Sequence, residues 1–336
     1  MSRRREYDED DVRVRPARST RPRTRIRPRH TDAVPGFVIA VDRGRYTCVV
    51  GDHQVTAMRA RELGRKSVVV GDQVDMVGDT TGGPDTLSRI VRISPRRSVL
   101  RRTADDDDPT ERVIVANADQ LVIVSSLDDP PPRTGFIDRC LVAAYDADIA
   151  PLLCLTKSDL VAGRVSSPGA AARPAVFDYY ADLDLDFVTT RQDEDPEELR
   201  QRLTGKLSVL VGHSGVGKST LVNRLVPGAD RAVGVVSAIG KGRHTSASAV
   251  VLALPGGGWI VDTPGVRSFG LAHVSAASLL HGFVDLAPGA EDCPPGCDHT
   301  DGATDCALDA WVEGGNADPR RLTSYRRLLA SRTSED

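Results

Sequence analysis

The sequence predicts an α/β protein: a doubly wound domain between a small N-terminal β-barrel and a C-terminal, mainly helical domain. Three observations carry this prediction. Motifs for phosphate and base recognition occur in an unusual order, a run of short strands precedes them, and a cysteine–histidine cluster follows them. With 336 residues, 40% of them hydrophobic and only 4% aromatic, the chain can build several cores, mainly from Val, Leu, Ile and Ala.

The N-terminal segment is strongly basic. Residues 12–30 contain eight arginines and no acidic residue, although the net charge of the chain is -3. Such a segment cannot bury enough apolar surface to fold alone, so residues 1–34 are predicted to be a disordered arm. Its charge favours a phosphate backbone as partner, and a solubilising tail is the alternative.

Residues 35–102 show short apolar strands separated by turns. Five or six strands are predicted, at 37–41, 46–50, 54–58, 68–70, 73–77 and 90–93. This pattern is typical of a closed barrel of the OB type, which commonly binds single-stranded or looped nucleic acid. Because Phe37 and Tyr46 are the only candidate stacking aromatics, basic side chains are expected to make most RNA contacts, namely Arg43, Arg45, Arg59, Arg61, Arg65 and Lys66.

An acidic linker at 103–111 leads to the predicted nucleotide-binding domain, residues 112–271. Apolar strands such as 121–124 alternate there with helices, which predicts a mostly parallel sheet with the ligand at the carboxyl ends of its strands. One helix is expected to begin with Thr134 as its N-cap. Its buried face is expected to contain Phe136, Ile137, Cys140, Leu141 and Ala144.

The clearest motif is a phosphate loop, G-x-x-x-x-G-K-S, between an apolar strand at 207–211 and a helix start. Backbone N–H groups of this loop are expected to face the phosphates, Lys218 to neutralise the β- and γ-oxygens, and Ser219 to bind magnesium. His213 is interpreted as a variable position within the loop. The predicted phosphate-binding residues are Gly212, His213, Ser214, Gly215, Val216, Gly217, Lys218, Ser219 and Thr220.

A base-reading motif, Thr156, Lys157, Ser158 and Asp159, precedes the phosphate loop. The Asp159 carboxylate can accept two hydrogens that guanine presents and adenine does not, and the Lys157 stem can lie along the ring. Thr156 offers less bracing than the asparagine found in many GTPases. A later strand at 185–188 ends at Thr189 and Thr190, where a loop could contact the guanine carbonyl. Because ordinary guanine-nucleotide switches place the phosphate loop first, this order predicts a circularly permuted P-loop GTPase domain.

A nucleotide sensor is predicted after the apolar strand at 259–261. There the Asp262 carboxylate can hold magnesium through water, and the Gly265 N–H can contact the γ-phosphate. Val266 stands where Ras-like proteins have the glutamine that orients the attacking water. Hydrolysis therefore needs another group.

Residues 240–246, a polar, glycine-rich stretch suited to a mobile switch, can supply that group. His244 is predicted to position the water, with a solvated loop histidine as the alternative. Thr245 is the predicted second magnesium ligand, and Ser246 is the alternative ligand.

Residues 272–336 form the predicted zinc domain. Cys293, Cys297, His299 and Cys306 supply three thiolates and one imidazole, which satisfies tetrahedral zinc and indicates one structural rather than catalytic ion. No signal peptide or transmembrane run is apparent, so disulfides are the poorer explanation in a reducing cytoplasm, which is the predicted location. The remaining cysteines are predicted to be core residues, namely Cys48, Cys140 and Cys154.

Taken together, these residues resemble the RsgA family, circularly permuted GTPases of bacterial ribosome assembly. The resemblance rests on T-K-S-D-L, G-H-S-G-V-G-K-S-T, G-K-G-R-H-T-S, D-T-P-G-V-R-S-F-G and the cysteine–histidine cluster, in that order, and covers roughly residues 35–330. It implies an OB barrel, a central GTPase and a zinc domain. It further implies a GTP hydrolase that docks on the small ribosomal subunit late in its maturation, with nucleotide state controlling rRNA binding. The protein is expected to be a monomer and to have no membrane partner. Ser246 and Ala247 depart from the threonines common after the switch histidine.

Two alternatives stay open. The first is a ribosome-attached binding module that senses GTP with little turnover, which the missing glutamine favours. The second is a P-loop phosphotransferase acting on a small molecule, against which the base-reading motif counts. Stimulation of turnover by small subunits would separate the first alternative from a hydrolase.

Overall fold

A computed structural model describes residues 30–42, 44–63, 68–83, 85–103, 111–162, 174–181, 183, 185–229, 249–263 and 270–333. The chain divides into two compact units, Met1–Thr31 and Asp32–Asp336, and the secondary structure below lies in the second. Within the described ranges, no helix combines the length and apolar character needed to cross a membrane.

The N-terminal strands close into a barrel. Its five strands are β1 (Val34–Asp42), β2 (Arg45–Val50), β3 (His53–Arg59), β4 (Gln73–Val77) and β5 (Ser88–Ile93), in the order β1-β2-β3-β5-β4. Alternate side chains point inward, so Val38, Cys48 and Met76 are fully buried. The five-stranded barrel confirms the fold predicted for this region, and β1 begins at Val34, one residue before the predicted barrel boundary.

Residues 68–70 are buried but do not form the strand predicted for them. Their backbone instead joins the barrel to the next part of the chain, since the Ala116 N–H donates to the Val70 carbonyl at 2.9 Å. Gly71 approaches so closely that a Cβ there would clash with the Ala116 carbonyl. The Asn117 side-chain amide donates to the Gly71 carbonyl at 2.9 Å. These contacts fix the barrel against the following domain.

The central sheet has six strands. They are β8 (Gln120–Ser126), β9 (Ala150–Thr156), β10 (Phe187–Thr189), β11 (Leu207–Gly212), β12 (Val250–Ala253) and β13 (Trp259–Asp262), in the order β10-β9-β8-β11-β13-β12. All neighbours are parallel except the edge strand β12, which runs antiparallel to β13. A separate antiparallel pair, β6 (Val99–Arg102) and β7 (Arg112–Ala116), precedes the sheet. The doubly wound, mostly parallel sheet is therefore confirmed.

Helices cover both faces of this sheet, because its inner strands are apolar on both sides. Those of the central domain are α1 (Thr134–Asp146), α2 (Ser158–Ala162), α3 (Ala175–Tyr179), α4 (Glu197–Leu203) and α5 (Lys218–Leu225). One core contains Ile123 and α1; the other contains Val124 and α5.

Helix α1 buries the face predicted for it, but the predicted N-cap is wrong. Thr134 is already helical, and the cap position is Arg133, which has extended backbone and makes no side-chain capping hydrogen bond. The N–H groups of Phe136 and Ile137 donate to the Arg133 carbonyl. The helix therefore starts one residue earlier than its threonine suggests.

The C-terminal region is mainly helical, with α6 (Ala276–His281), α7 (Ala287–Ala290), α8 (Ala307–Glu313) and α9 (Pro319–Thr333). It packs on α1 through fully buried apolar side chains that include Leu279 and Phe283.

A buried ion cluster joins the C-terminal region to the central domain. Arg321 of α9 is only 1% exposed. Its guanidinium donates to Asp138 of α1 at 2.6 Å and to both carboxylate oxygens of Asp285 at 2.9 and 3.0 Å. Asp138 also accepts hydrogen bonds from three hydroxyls, those of Tyr179, Tyr180 and Ser324.

Candidate functional site

The phosphate loop lies between β11 and α5, at the carboxyl edge of the sheet. Gly215 and Gly217 have φ values of 85° and 92°, a left-handed conformation that glycine adopts without strain. Gly217 is the N-cap of α5, so Lys218 begins the helix at the end where backbone N–H groups are free to bind anions.

Lys218 is held against the end of β13. This lysine is 9% exposed, and its Nζ contacts the Asp262 carboxylate and the Thr263 carbonyl. Parallel pairing of β11 with β13 sets Leu210 opposite Asp262, which brings Asp262 to the same sheet edge as the phosphate loop. The Thr263 hydroxyl in turn donates to the Leu210 carbonyl at 2.7 Å.

The base-reading motif follows β9 directly. Thr156 ends the strand, Lys157 has a positive φ of 60°, and Ser158 begins α2. Both the N–H and the hydroxyl of Ser158 donate to the Thr190 carbonyl at 3.2 Å. The motif is thereby tied to the end of β10, the position predicted for a loop near the base.

Thr156 also connects the base-reading motif to the phosphate loop. It is 4% exposed, and its hydroxyl lies 2.5 Å from the Val216 carbonyl and 3.4 Å from the Ser125 carbonyl. A single hydroxyl therefore braces the phosphate loop here, although the sequence predicts less bracing from threonine than from asparagine.

These elements surround one cavity of about 680 Å³. Residues from the phosphate loop, the base-reading motif and the end of β13 all line it. The sequence predictions include most of these residues but not Arg191, Gln192, Leu221 or Arg224. No motif marks those four residues, since two follow a short strand and two lie within a helix.

His213 packs against α1. Its ring centroid lies 4.1 Å from that of Phe136. Burial, and then the nearby Arg133 guanidinium, lower the pKa of His213, which favours the neutral imidazole at pH 7. His213 also lines the cavity, and its interpretation as a variable loop position stays a prediction.

Several predicted functional residues lie outside the described part of the chain. They are His244, Thr245, Ser246 and Gly265, together with the rest of residues 240–246. Their roles stay predictions.

The predicted zinc ligands come together in space. The ligand atoms of Cys293, Cys297, His299 and Cys306 all lie within 4.8 Å of one another. The Cys293 sulfur is 3.5 Å from His299 Nδ1 and 4.0 Å from the Cys306 sulfur. A tetrahedral zinc ion separates such ligand atoms by about 3.5–3.8 Å, so the donors fit this metal.

Burial and the side chain of Arg326 both act on the cluster. Burial is the main reason that the pKa of Cys306 rises to about 11, and the neighbouring thiols add to the effect. A bound cation would favour the thiolates and offset this shift. Arg326 supports the cluster from α9: its Nε donates to the His299 carbonyl at 3.3 Å, and its guanidinium pairs with Asp309 at 2.7 Å.

The other three cysteines are buried, as predicted for core residues. Burial raises the pKa of Cys48 and that of Cys154 to about 12. The pKa of Cys140 is raised as well, mainly by burial. These thiols therefore pack as apolar groups.

Comparison with known proteins identifies close relatives. The RsgA GTPase family matches residues 93–272. The small ribosomal subunit biogenesis GTPase RsgA of Ectopseudomonas mendocina (strain ymp) is 39% identical over 274 residues, which cover 80% of this chain and 76% of that protein. The protein of the same name from Chlorobaculum parvum (strain DSM 263 / NCIMB 8327) is 34% identical over 312 residues, or 89% of this chain and 98% of that protein.

Two solved structures share the fold. YjeQ from Thermotoga maritima has a TM-score of 0.69 at 24% identity and covers 90% of this chain and 100% of its own. YloQ, described as a circularly permuted GTPase, has a TM-score of 0.67 at 23% identity and covers 92% of this chain and 99% of its own. The permuted GTPase fold predicted from the motif order is thereby confirmed.

Proposed function

This chain belongs to the RsgA GTPase family, and from that premise we propose that it hydrolyses GTP while docked on the small ribosomal subunit, late in the maturation of that subunit. The observation that carries the proposal is the cavity that joins the phosphate loop, the base-reading motif and Asp262. Family membership makes the chain a GTP hydrolase and disfavours a binding module with little turnover. The names of the relatives support the small ribosomal subunit as partner, and the proposed location is the cytoplasm.

The cavity suggests how nucleotide binds. The amides of the phosphate loop and Lys218 hold the β- and γ-phosphates, while Asp159 and Lys157 select guanine. Magnesium, the metal that such sites use, would be held by Ser219 and Asp262, and it neutralises charge on the phosphate oxygens. Lys218 now contacts Asp262, so phosphate binding would draw the ammonium away and release the carboxylate.

Hydrolysis requires groups from the switch segment. His244 positions the attacking water, the Gly265 N–H contacts the γ-phosphate, and Thr245 or Ser246 completes the magnesium site. Val266 supports this assignment, because it provides no substitute for the glutamine of Ras-like proteins. One zinc ion, held by the cysteine–histidine cluster, is structural because protein ligands fill all four positions.

The proposed RNA contacts involve the barrel, the C-terminal region and the basic arm, and the protein acts as a monomer. The GTP form should bind small subunits more tightly than the GDP form, because a switch can shift docking only through differential affinity between its states.

The decisive measurement is the GTPase rate with and without purified small subunits. A hydrolase that acts on the subunit should be strongly stimulated by it. A rate that stays low and unchanged when subunits are added would instead support the binding module.

Replacement of the switch histidine tests its catalytic role. His244→Ala should leave GDP binding nearly intact yet lower the stimulated rate by roughly 10²–10⁴-fold, the usual scale for a positioned acid–base group. Lys218→Ala is the matched comparison and should damage binding and turnover together. A decrease of only a few-fold in His244→Ala would reduce the histidine to a switch contact.

A further inference from the structure

Arg191 and Gln192 line the cavity. They belong to residues 191–194, here termed the base loop, which lie between β10 and α4 and contact Asp159 through the Gln192 N–H. The loop has its own bracing: the Arg191 guanidinium pairs with Asp193 at 3.1 Å and with Glu194 at 2.9 Å. These contacts lie within the loop. They shape it but do not fix its position relative to the phosphate loop.

A single side chain on the phosphate-loop helix supplies that connection. Arg224, in the last turn of α5, donates through Nη1 to the carbonyls of Arg191 at 3.1 Å and Glu194 at 2.6 Å. Its Nη2 donates to the Gln192 carbonyl. One guanidinium therefore holds three carbonyls of the base loop, those of residues 191, 192 and 194. It does so from two nitrogens of its planar fork, whereas an ammonium presents all its donors from one atom.

The base loop in turn holds the carboxylate that selects guanine. The Gln192 N–H donates to Asp159 Oδ1 at 3.1 Å. The contacts thus run without a gap from Arg224 through the backbone of Gln192 to Asp159. Since α5 begins at Lys218 and ends near Arg224, one short helix fixes both the phosphate site and the base site.

We propose that Arg224 is a positioning residue that sets guanine specificity, because it holds the Asp159 carboxylate in register with the phosphate loop through the base loop. The proposal rests on the function proposed above, in which Asp159 reads the base. Arg224 itself need not touch the base, since its role depends on the three hydrogen bonds that its guanidinium donates to backbone carbonyls.

The test compares the affinities for GDP and IDP by calorimetry. Inosine lacks the 2-amino group of guanine, one of the two donors that Asp159 would accept, so the ratio of the two affinities reports how well this carboxylate is aligned. Arg224→Met should weaken GDP far more than IDP and reduce the ratio roughly tenfold, the scale of one misaligned polar contact. Arg224→Lys should give an intermediate ratio. A change in loop stability alone would weaken both nucleotides equally and leave the ratio unchanged, which would overturn the proposal.

The matched control is Arg202→Met on α4, which removes an arginine paired with Asp186 at 3.1 Å and away from the cavity. This variant should keep the wild-type ratio. If Arg224→Met does not fold, Arg224→Lys decides, because an ammonium keeps the charge but donates from one nitrogen instead of two. A lysine variant with the wild-type ratio would contradict the proposal, and a reduced ratio would support it.

Asp159→Asn separates this inference from the function on which it rests. The substitution exchanges an acceptor for a donor, so the preference should move from GDP toward xanthosine diphosphate (XDP), which has a carbonyl in place of the 2-amino group. If that preference does not move, both the base assignment and the role of Arg224 fail. If it moves while Arg224→Met keeps the wild-type GDP/IDP ratio, only the role of Arg224 fails.

Discussion

The Thr156 hydroxyl shows how one atom can join two motifs. It donates to the Val216 carbonyl at 2.5 Å in a buried position, so the end of β9 and the phosphate loop share a hydrogen bond. The sequence predicts weaker bracing from Thr156 than from asparagine, because a hydroxyl has fewer donors and acceptors than a carboxamide. The hydroxyl nevertheless braces the phosphate loop here, because the Val216 carbonyl is much closer to it than the Ser125 carbonyl.

Removal of that donor should be measurable. Thr156→Val keeps the shape but leaves the Val216 carbonyl without this donor, so the free energy of unfolding should fall by about 1–3 kcal/mol. GDP should also bind more weakly, because the phosphate loop loses a brace. Urea denaturation and calorimetry measure the two effects. Thr156→Ser retains the hydroxyl and should remain close to wild type, whereas equal behaviour of the two variants would rule out the brace.

Among the elements, the segment Cys293 to Cys306, here termed the zinc segment, is expected to depend on the proposed metal, while the helices around it are not. The segment that carries the ligands, Cys293 to Cys306, contains little regular structure. Helix α9 instead buries Tyr325 and Leu328 to 1% exposure against the core. Metal removal should therefore act locally.

We expect a strong chelator, or Cys297→Ser, to release the zinc segment and increase its hydrogen exchange, because metal binding supplies much of the folding free energy of such sites. Exchange in α9 should change less, and GDP affinity should be retained. Metal analysis of the untreated protein should find about one zinc per chain, from the single set of four ligands. Added zinc should restore protection. A metal-free protein with a fully protected segment would refute the zinc site.

The buried ion cluster should make the C-terminal helices inseparable from α1. Arg321→Met would leave Asp138 and Asp285 buried without their shared cation, which should cost about 3–5 kcal/mol of unfolding free energy. Arg320→Met is the matched control, since Arg320 pairs with Asp318 at the surface and its removal should change stability little. Urea denaturation of both variants gives the comparison. Similar urea midpoints for the two variants would mean that the cluster does not stabilise the contact between the two regions.

The sequence supports local predictions far better than long-range ones. Strand and helix positions, the phosphate loop and the zinc ligands depend on spacing within short segments, and periodicity reveals them. Arg321 and Asp138 lie 183 positions apart, so no local pattern connects them. Arg224 escaped detection for a different reason: its partners are backbone carbonyls, which every residue has and no motif can mark.

On the scale of the whole molecule, strand β13 contacts the barrel at its first residue and the cavity at its last. Its first residue, Trp259, stacks near Phe37 of the barrel, with ring centroids 5.4 Å apart, and its last residue, Asp262, lines the nucleotide cavity. From residue 270 the chain continues into the C-terminal helices. If Asp262 responds to the γ-phosphate as proposed, β13 would connect that response to the barrel contact at Trp259.

The role of the basic arm can be tested with a truncation whose end point is set by the start of β1. Because β1 begins at Val34, with Val34 opposite Met76, a truncation should remove residues 1–29 and spare the strand. This change deletes all eight arginines of the basic run. If they bind rRNA phosphates, binding to small subunits should weaken most at low salt. The salt dependence should flatten by about 0.7–0.9 log units for each phosphate that the arm no longer neutralises.

A full-length variant with those eight arginines replaced by glutamine is the matched control, because it removes the charge and keeps the length. It should match the truncation. GDP affinity without ribosomes should not change in either protein, since among the described residues those that line the cavity begin at Thr156. If both variants bind subunits with the original salt slope, the arm neutralises no phosphates. The barrel and the C-terminal region must then provide the electrostatic attraction to the subunit.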